Sequence, residues 1–271
     1  MNKKLLILLV LVAIGFGAYG FIAAEKITAK GSDTMVILAQ RWAERFMGKN
    51  SAIAIQVTGG GSGTGISALI NGTTDICNSS RPMKKAEIQK LKERFGVTGV
   101  EIPVAKDGLS VYLHNSNNVS DLSLKQLKDI YQGKITNWKE VGGKDAKIII
   151  YSRENNSGTY VFFKDHVLGG ADYAATAQNL PGTAAVVNAV SKDPNAIGYG
   201  GAAYAKNIKF AKINGVEPSA ETVKSGKYPL ARYLYIYLRS KPTGGLKQYI
   251  DWILSPDGQK IVNEVGYFPV K

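Results

Sequence analysis

From Ile27 onward the chain alternates short β-branched runs with longer stretches in which apolar residues recur every three or four positions. Ile27–Lys30 and Ile53–Val57 read as strands. Between them, Met35, Leu38, Ala39, Trp42, Ala43 and Phe46 fall on one face of an amphipathic helix over Met35–Met47. Ile66–Asn71 reads as a second helix, Asp75–Asn78 as a buried strand stopped by Pro82, and Lys85–Phe95 as a third helix. Val100–Val104 and Leu109–His114 are strand-like, and Leu122–Tyr131 is helical with Ser120 and Asp121 as cap candidates. Trp138 lies in a loop rich in glycine and lysine. The pattern continues with a strand at Lys147–Tyr151, a helix over Tyr160–Leu168, a helix near Thr183–Val190 and a strand near Ala196–Tyr199. A hairpin-like region near Phe210–Gly215, a short helix near Ala220–Lys224 and a long aromatic strand over Tyr228–Leu238 come next. Helices at Leu246–Leu254 and Gln259–Val265 close the chain. This is an α/β alternation.

Four strand-to-helix connections share an unusual chemistry. They are Gly31-Ser32-Asp33-Thr34, the glycine loop Thr58–Ile66, Asn78-Ser79-Ser80-Arg81, and Ser152–Thr159 with Arg153 at its start. In open α/β sheets ligands gather at the carboxyl ends of strands. Glycines there let backbone N–H groups approach a ligand, helix starts leave N–H groups unpaired and partly positive, and hydroxyls add donors. A guanidinium adds a fork that grips two oxygens of a tetrahedral oxyanion. The pattern is an anion site, and not a nucleotide loop: no Lys-[Ser/Thr] follows Gly65, and the glycines miss the G-x-G-x-x-G spacing. Plain N-capping by Ser, Thr and Asp, a flexible glycine turn, and a surface ion pair from Arg153 to Glu154 stand as alternatives.

The 271 residues, 45% hydrophobic and 20% charged, have a globular composition, and the formal charge of +13 suits an anionic partner. The lysines are scattered and no nucleic-acid-binding signature appears, so no nucleic acid partner is expected. His114 and His166 sit in no spacing that makes a metal site or catalytic pair, and no G-x-S-x-G elbow surrounds Ser62 or Ser157. No enzyme activity, metal or cofactor is expected; a periplasmic phosphatase is the rival from another class. One cysteine, Cys77, allows no internal disulfide and is placed too late for a lipoprotein signal. Met1–Lys4 followed by an apolar run and small residues before Glu25 reads as a signal peptide over residues 1–24, with an uncleaved anchor as the alternative.

Gly31-Ser32-Asp33-Thr34-Met35, Gly60–Gly65, Asn78-Ser79-Ser80-Arg81-Pro82 and Arg153 with Ser157-Gly158-Thr159, in this order, resemble the phosphate-binding proteins of bacterial ABC transporters. Gly133–Trp138 and Ala196–Tyr199 look like that family's structural motifs. The resemblance implies a two-lobed periplasmic-binding-protein fold: two α/β lobes joined by two crossing strands, with the ligand cleft between them. Lobe one would be 25–105 and 230–271, and lobe two 106–229, with crossings near Pro103–Gly108 and Tyr228–Arg232. It further implies an extracytoplasmic monomer that binds inorganic phosphate and delivers it to membrane permease subunits. Carried over by position, Ser32, Asp33, Thr34, Ser62 and Ser80 would line the site from lobe one, and Arg153, Ser157, Gly158 and Thr159 from lobe two. Sulfate, molybdate and tungstate receptors share this architecture, so the anion stays open. Many relatives have Ser-Asp at the end of the third strand, where the aspartate accepts a hydrogen bond from the ligand's own proton; here the matching position is Ser80, followed by Arg81. Asp33 is therefore expected to supply the carboxylate acceptor.

Overall fold

The structure is a computed structural model and describes residues 24–205 and 207–270. The signal-like segment lies almost wholly outside the described residues. Two sheets organise the chain. The first has β1 (Glu25–Gly31), β2 (Ile53–Gly60), β3 (Ile76–Ser79), β4 (Val100–Gly108) and β11 (Ala231–Leu238) in the order β2-β1-β3-β11-β4. The second has β5 (Ser110–Leu113), β6 (Asp121–Leu122), β7 (Ile149–Arg153), β8 (Gln178–Leu180), β9 (Ala196–Gly200) and β10 (Lys209–Ile213) in the order β6-β10-β5-β9-β7-β8.

Strand alternation buries both faces of each sheet. In the first, Ile76 and Ile236 face a core built with α1 (Val36–Met47), α8 (Gly244–Leu254) and α9 (Pro256–Val265). Their neighbours Cys77 and Tyr237 face α2 (Ser62–Asn71) and the segment leading to α3 (Lys85–Phe95). In the second, Val111 and Leu113 pack with α4 (Leu124–Tyr131), α5 (Gly158–His166) and α7 (Ala220–Lys224), while Tyr112 turns to α6 (Gly182–Lys192). Each lobe therefore has its own core, as two α/β layers around a sheet require. Among the described residues no helix is long and apolar enough to cross a membrane.

The chain passes between the lobes twice, side by side. β4 and β11 pair antiparallel from Val100↔Leu238 to Gly108↔Ala231, and the ladder is prolonged by Leu109 N–H donating to Leu230 C=O at 3.0 Å. Beyond the two strands, Leu109 and Leu230 are already packed in the second core. Each lobe braces its own side of the crossing: Tyr112 OH donates to Gly201 C=O at 2.6 Å within the second, and Tyr267 OH donates to Thr34 C=O at 2.6 Å within the first. Gly201 is wedged so tightly here that a Cβ would lie 2.6 Å from Tyr267 Oη.

Several local expectations change. The glycine loop is shorter than its composition implies: Gly60 (φ +104°) and Gly61 (φ +87°) make the turn, and Ser62-Gly63-Thr64-Gly65 already forms the first turn of α2. Packing decides this, because Gly65 lies against Gly31, whose Cα would be 2.6 Å from an added Cβ. The cap of α4 is Ser123, whose Oγ accepts Gln126 N–H, rather than Ser120 or Asp121; Asp121–Leu122 is recruited as β6. Trp138 sits in a 3-10 turn, and β10 pairs with β5 and β6 rather than as a hairpin. β8, three residues beside β7, has no apolar signature of its own.

Candidate anion-binding site

The four polar connections all end at the boundary between the lobes. β1 finishes at Gly31, and Ser32 N–H donates to Asn78 C=O at 2.9 Å, so the first and third connections are pinned to each other. Ser32 and Thr34 are buried there. At the start of α2, Ser62 Oγ accepts Ser80 N–H at 3.0 Å and lies 3.3 Å from Ser80 Oγ. From the second lobe, β7 delivers Arg153, and Ser157 caps α5 by accepting Tyr160 N–H at 3.3 Å. Gly158 and Thr159 open that helix, so their N–H groups have no acceptor within it.

Across the boundary the hydroxyls meet. Thr159 Oγ1 is 2.9 Å from Thr34 Oγ1 and 3.4 Å from Ser80 Oγ. Gly158 sits so close that a Cβ there would lie 2.3 Å from Ser62 Oγ and 2.7 Å from Ser80 Oγ. At the rim, Gly63 N–H donates to Asn156 C=O at 2.9 Å, and Asn156 Nδ2 donates to Gly60 C=O and Thr64 Oγ1. Thr34, Ser62, Ser80, Arg153, Ser157 and Thr159 are each 2% exposed or less. A cluster of hydroxyls this dry must find partners among themselves or in a ligand. Each hydroxyl both donates and accepts, so the cluster can turn to suit an anion's oxygens.

The charged groups do not all fall where the sequence places them. Asp33 does not cap its own helix. Its carboxylate accepts Gly60 N–H at 2.8 Å through Oδ1 and Arg153 Nη2–H at 2.8 Å through Oδ2. Both of its oxygens are thus engaged, which weakens its candidacy as a free acceptor for a ligand's proton. Arg153 also donates to Thr183 Oγ1 at 2.9 Å and to Glu154 Oε2 at 3.4 Å, so the Glu154 pair and the inward orientation coexist. Tyr204 OH donates to Asp33 C=O at 2.8 Å; burial, assisted by the nearby Asp33 carboxylate, pushes its phenol up to about 12. Arg81 turns away from the hydroxyls to Glu87.

Two residues of this region escape a local reading. Asp107 on β4 and Arg232 on β11 form a buried ion pair, and Arg232 Nη2 donates to Thr159 Oγ1 at 3.1 Å. The only trace in the sequence is a charge of each sign inside the two predicted crossing segments. His114 bonds Ser116 at the surface and His166 stacks on Phe162. Among the described residues no group of three or more His, Cys, Asp or Glu is arranged to hold a metal.

Two lobes, two crossing strands and a buried polar cluster between them define a substrate-binding protein of the periplasmic type. The family model described as the PBP superfamily domain matches residues 22–257. The phosphate-binding protein PstS of Bacillus subtilis is 37% identical over 92% of this chain and 82% of its own length. That of Pseudomonas aeruginosa is 31% identical over 99% and 95%. Among solved structures, one from Clostridium perfringens with bound phosphate, described as a phosphate ABC transporter substrate-binding protein, superposes with a TM-score of 0.85. It is 33% identical and covers 91% of this chain and 100% of that one. An ABC-type phosphate transport receptor from Vibrio cholerae, 29% identical, gives 0.74 over 89% and 99%. The chain belongs to the PBP superfamily and, within it, to the PstS family of phosphate-binding proteins.

Proposed function

We propose that this protein captures inorganic phosphate outside the cytoplasm and delivers it, as a monomer after cleavage of residues 1–24, to the permease subunits of an ABC transporter. It is a binding protein, not an enzyme. The observation that carries the reading is the meeting of hydroxyls from opposite lobes, Thr34 with Thr159 at 2.9 Å and Ser80 with Thr159 at 3.4 Å. Such a set is complete only when the lobes are together, so an anion that prefers the completed set shifts the open–closed equilibrium toward closure.

In this reading lobe one is 25–105 with 230–271, and lobe two is 106–229. Ser32, Thr34, Ser62, Ser80, Ser157 and Thr159 offer hydroxyls, Gly158 and Thr159 offer N–H groups at a helix start, and Arg153 offers charge. Asp33 holds Arg153 and the Gly60 turn. The experiment is calorimetric titration of the purified protein with phosphate, sulfate, molybdate and tungstate. Tight binding of phosphate with weaker binding of the others supports the reading. A preference for a different anion reassigns the cargo, and no binding removes the reading.

A further inference from the structure

Asp107 and Arg232 sit directly opposite each other in the β4–β11 ladder, 0% and 7% exposed. Arg232 grips Asp107 Oδ2 through Nε at 3.0 Å and Nη2 at 2.8 Å, while Oδ1 accepts Ala202 N–H at 2.9 Å. The carboxylate is thereby held on both oxygens. The outer edge of the guanidinium points elsewhere: Nη2 donates to Thr159 Oγ1 at 3.1 Å and Nη1 to Ser80 C=O at 3.3 Å. Its carbon lies 5.2 Å from the Phe162 ring centre, which packs its flat face. One N–H of Nη1 has no acceptor among the described residues.

Pairing with Asp107 alone accounts poorly for this arrangement. A buried ion pair stabilises a fold no better than apolar residues of similar volume, and the crossing is already secured by its strand ladder. What the arginine adds is an N–H on Thr159 Oγ1, one spare N–H on Nη1 and a positive charge beside the hydroxyl cluster. We infer that Arg232 is a second ligand-facing guanidinium of the anion site, beside Arg153, and that Asp107 is its positioning residue. The inference rests on the phosphate reading and deepens it. Asp33 and Asp107 are both spoken for by arginines and backbone N–H groups, so the anion meets two guanidiniums and a set of hydroxyls. Hydroxyls accept from a P–O–H or donate to a bare oxygen equally well. The site therefore takes inorganic phosphate in either of its protonation states near neutral pH, as monoanion or dianion.

The test is calorimetry with inorganic phosphate on the wild type, on Arg232→Lys and on the double variant Asp107→Asn/Arg232→Gln, with circular-dichroism melts of each. The double variant removes both charges and leaves no unpaired buried ion. It is expected to fold and to lose phosphate affinity by about a hundredfold or more. Arg232→Lys keeps the charge beside Asp107 but cannot serve Asp107 and the cluster with one fork; a loss of about tenfold is expected even if the double variant does not fold. Phosphate binding within about threefold of wild type in a folded variant of either kind overturns the inference and leaves Arg232 a hinge brace, with the proposed function intact. Absence of phosphate binding in the wild type itself overturns both.

Discussion

Arg153, delivered by a strand of the second lobe, donates to the Asp33 carboxylate of the first, Nη2 to Oδ2 at 2.8 Å, with Arg153 1% exposed. The bond joins residues 120 positions apart and fastens the lobes beside the hydroxyl cluster. It also changes what Asp33 can do, because a carboxylate already holding a guanidinium and the Gly60 N–H is a weak candidate for detecting a ligand proton. Asp33→Asn should therefore weaken phosphate and sulfate together, each by about tenfold, and leave their ratio unchanged. Competition titrations of the two anions check this; a ratio shifted toward sulfate would restore Asp33 as the proton acceptor.

Gly158 lies at a tight approach between the lobes. It opens α5 with an ordinary helical backbone, so alanine is compatible with the helix, yet its Cβ would meet Ser62 Oγ at 2.3 Å and Ser62 Cβ at 2.8 Å. Gly158→Ala should melt within about 0.5 kcal/mol of wild type without ligand but fail to close, losing phosphate affinity by two decades or about that. X-ray scattering with and without phosphate reads the missing contraction.

Asn156 acts at the rim. Its carbonyl accepts Gly63 N–H, and its side chain donates to Gly60 C=O at 3.1 Å and Thr64 Oγ1 at 3.2 Å. Asn156→Ala removes only the two side-chain bonds, worth about 1 kcal/mol each when partly exposed. If closure follows entry of the anion, as proposed, loss of these bonds should quicken release by about tenfold while capture is unchanged. Stopped-flow measurement of both rates separates this from a general loss of affinity.

Arg81 and Glu87 form a stability element away from the cluster, with Nη2 to Oε1 at 2.7 Å and Nη1 to Oε2 at 2.8 Å. Burial alone pushes the Glu87 carboxyl up, but the Arg81 fork and the Lys84 N–H outweigh it and hold it below its ordinary value of 4.5. A depressed carboxyl contributes stability that is present above the unfolded value and lost as pH falls through the folded one. Glu87→Gln should lower Tm by about 5 °C at pH 7, and the gap to wild type should shrink as pH drops below that value. Melts from pH 7 to pH 3 test the sign. Phosphate affinity should stay at the wild-type level, since Arg81 points away from the hydroxyls.

Much of this architecture was written locally. The 3-4 spacing of Leu38, Trp42 and Phe46 put one face of α1 into the first core, and the β-branched run at Ile53–Val57 made a strand. Ser32, Thr34, Ser62, Ser80 and Thr159 stood at strand-to-helix turns, which is where an α/β sheet collects a ligand. These features are legible because helix periodicity, strand alternation and turn chemistry are each settled within a few residues. Which partners the charges take is not. Asp33 bonds Arg153 rather than its own helix, and Asp107 finds Arg232 at a separation of 125 residues. Those pairings exist only once two crossing strands have laid the lobes against each other, since the cost of burying a charge falls on whichever opposite charge the tertiary fold brings within reach. The sequence by itself determined the α/β alternation and the hydroxyl-bearing turns; the packed crossing decided which carboxylates are neutralised, and which guanidinium N–H groups are left beside the hydroxyl cluster.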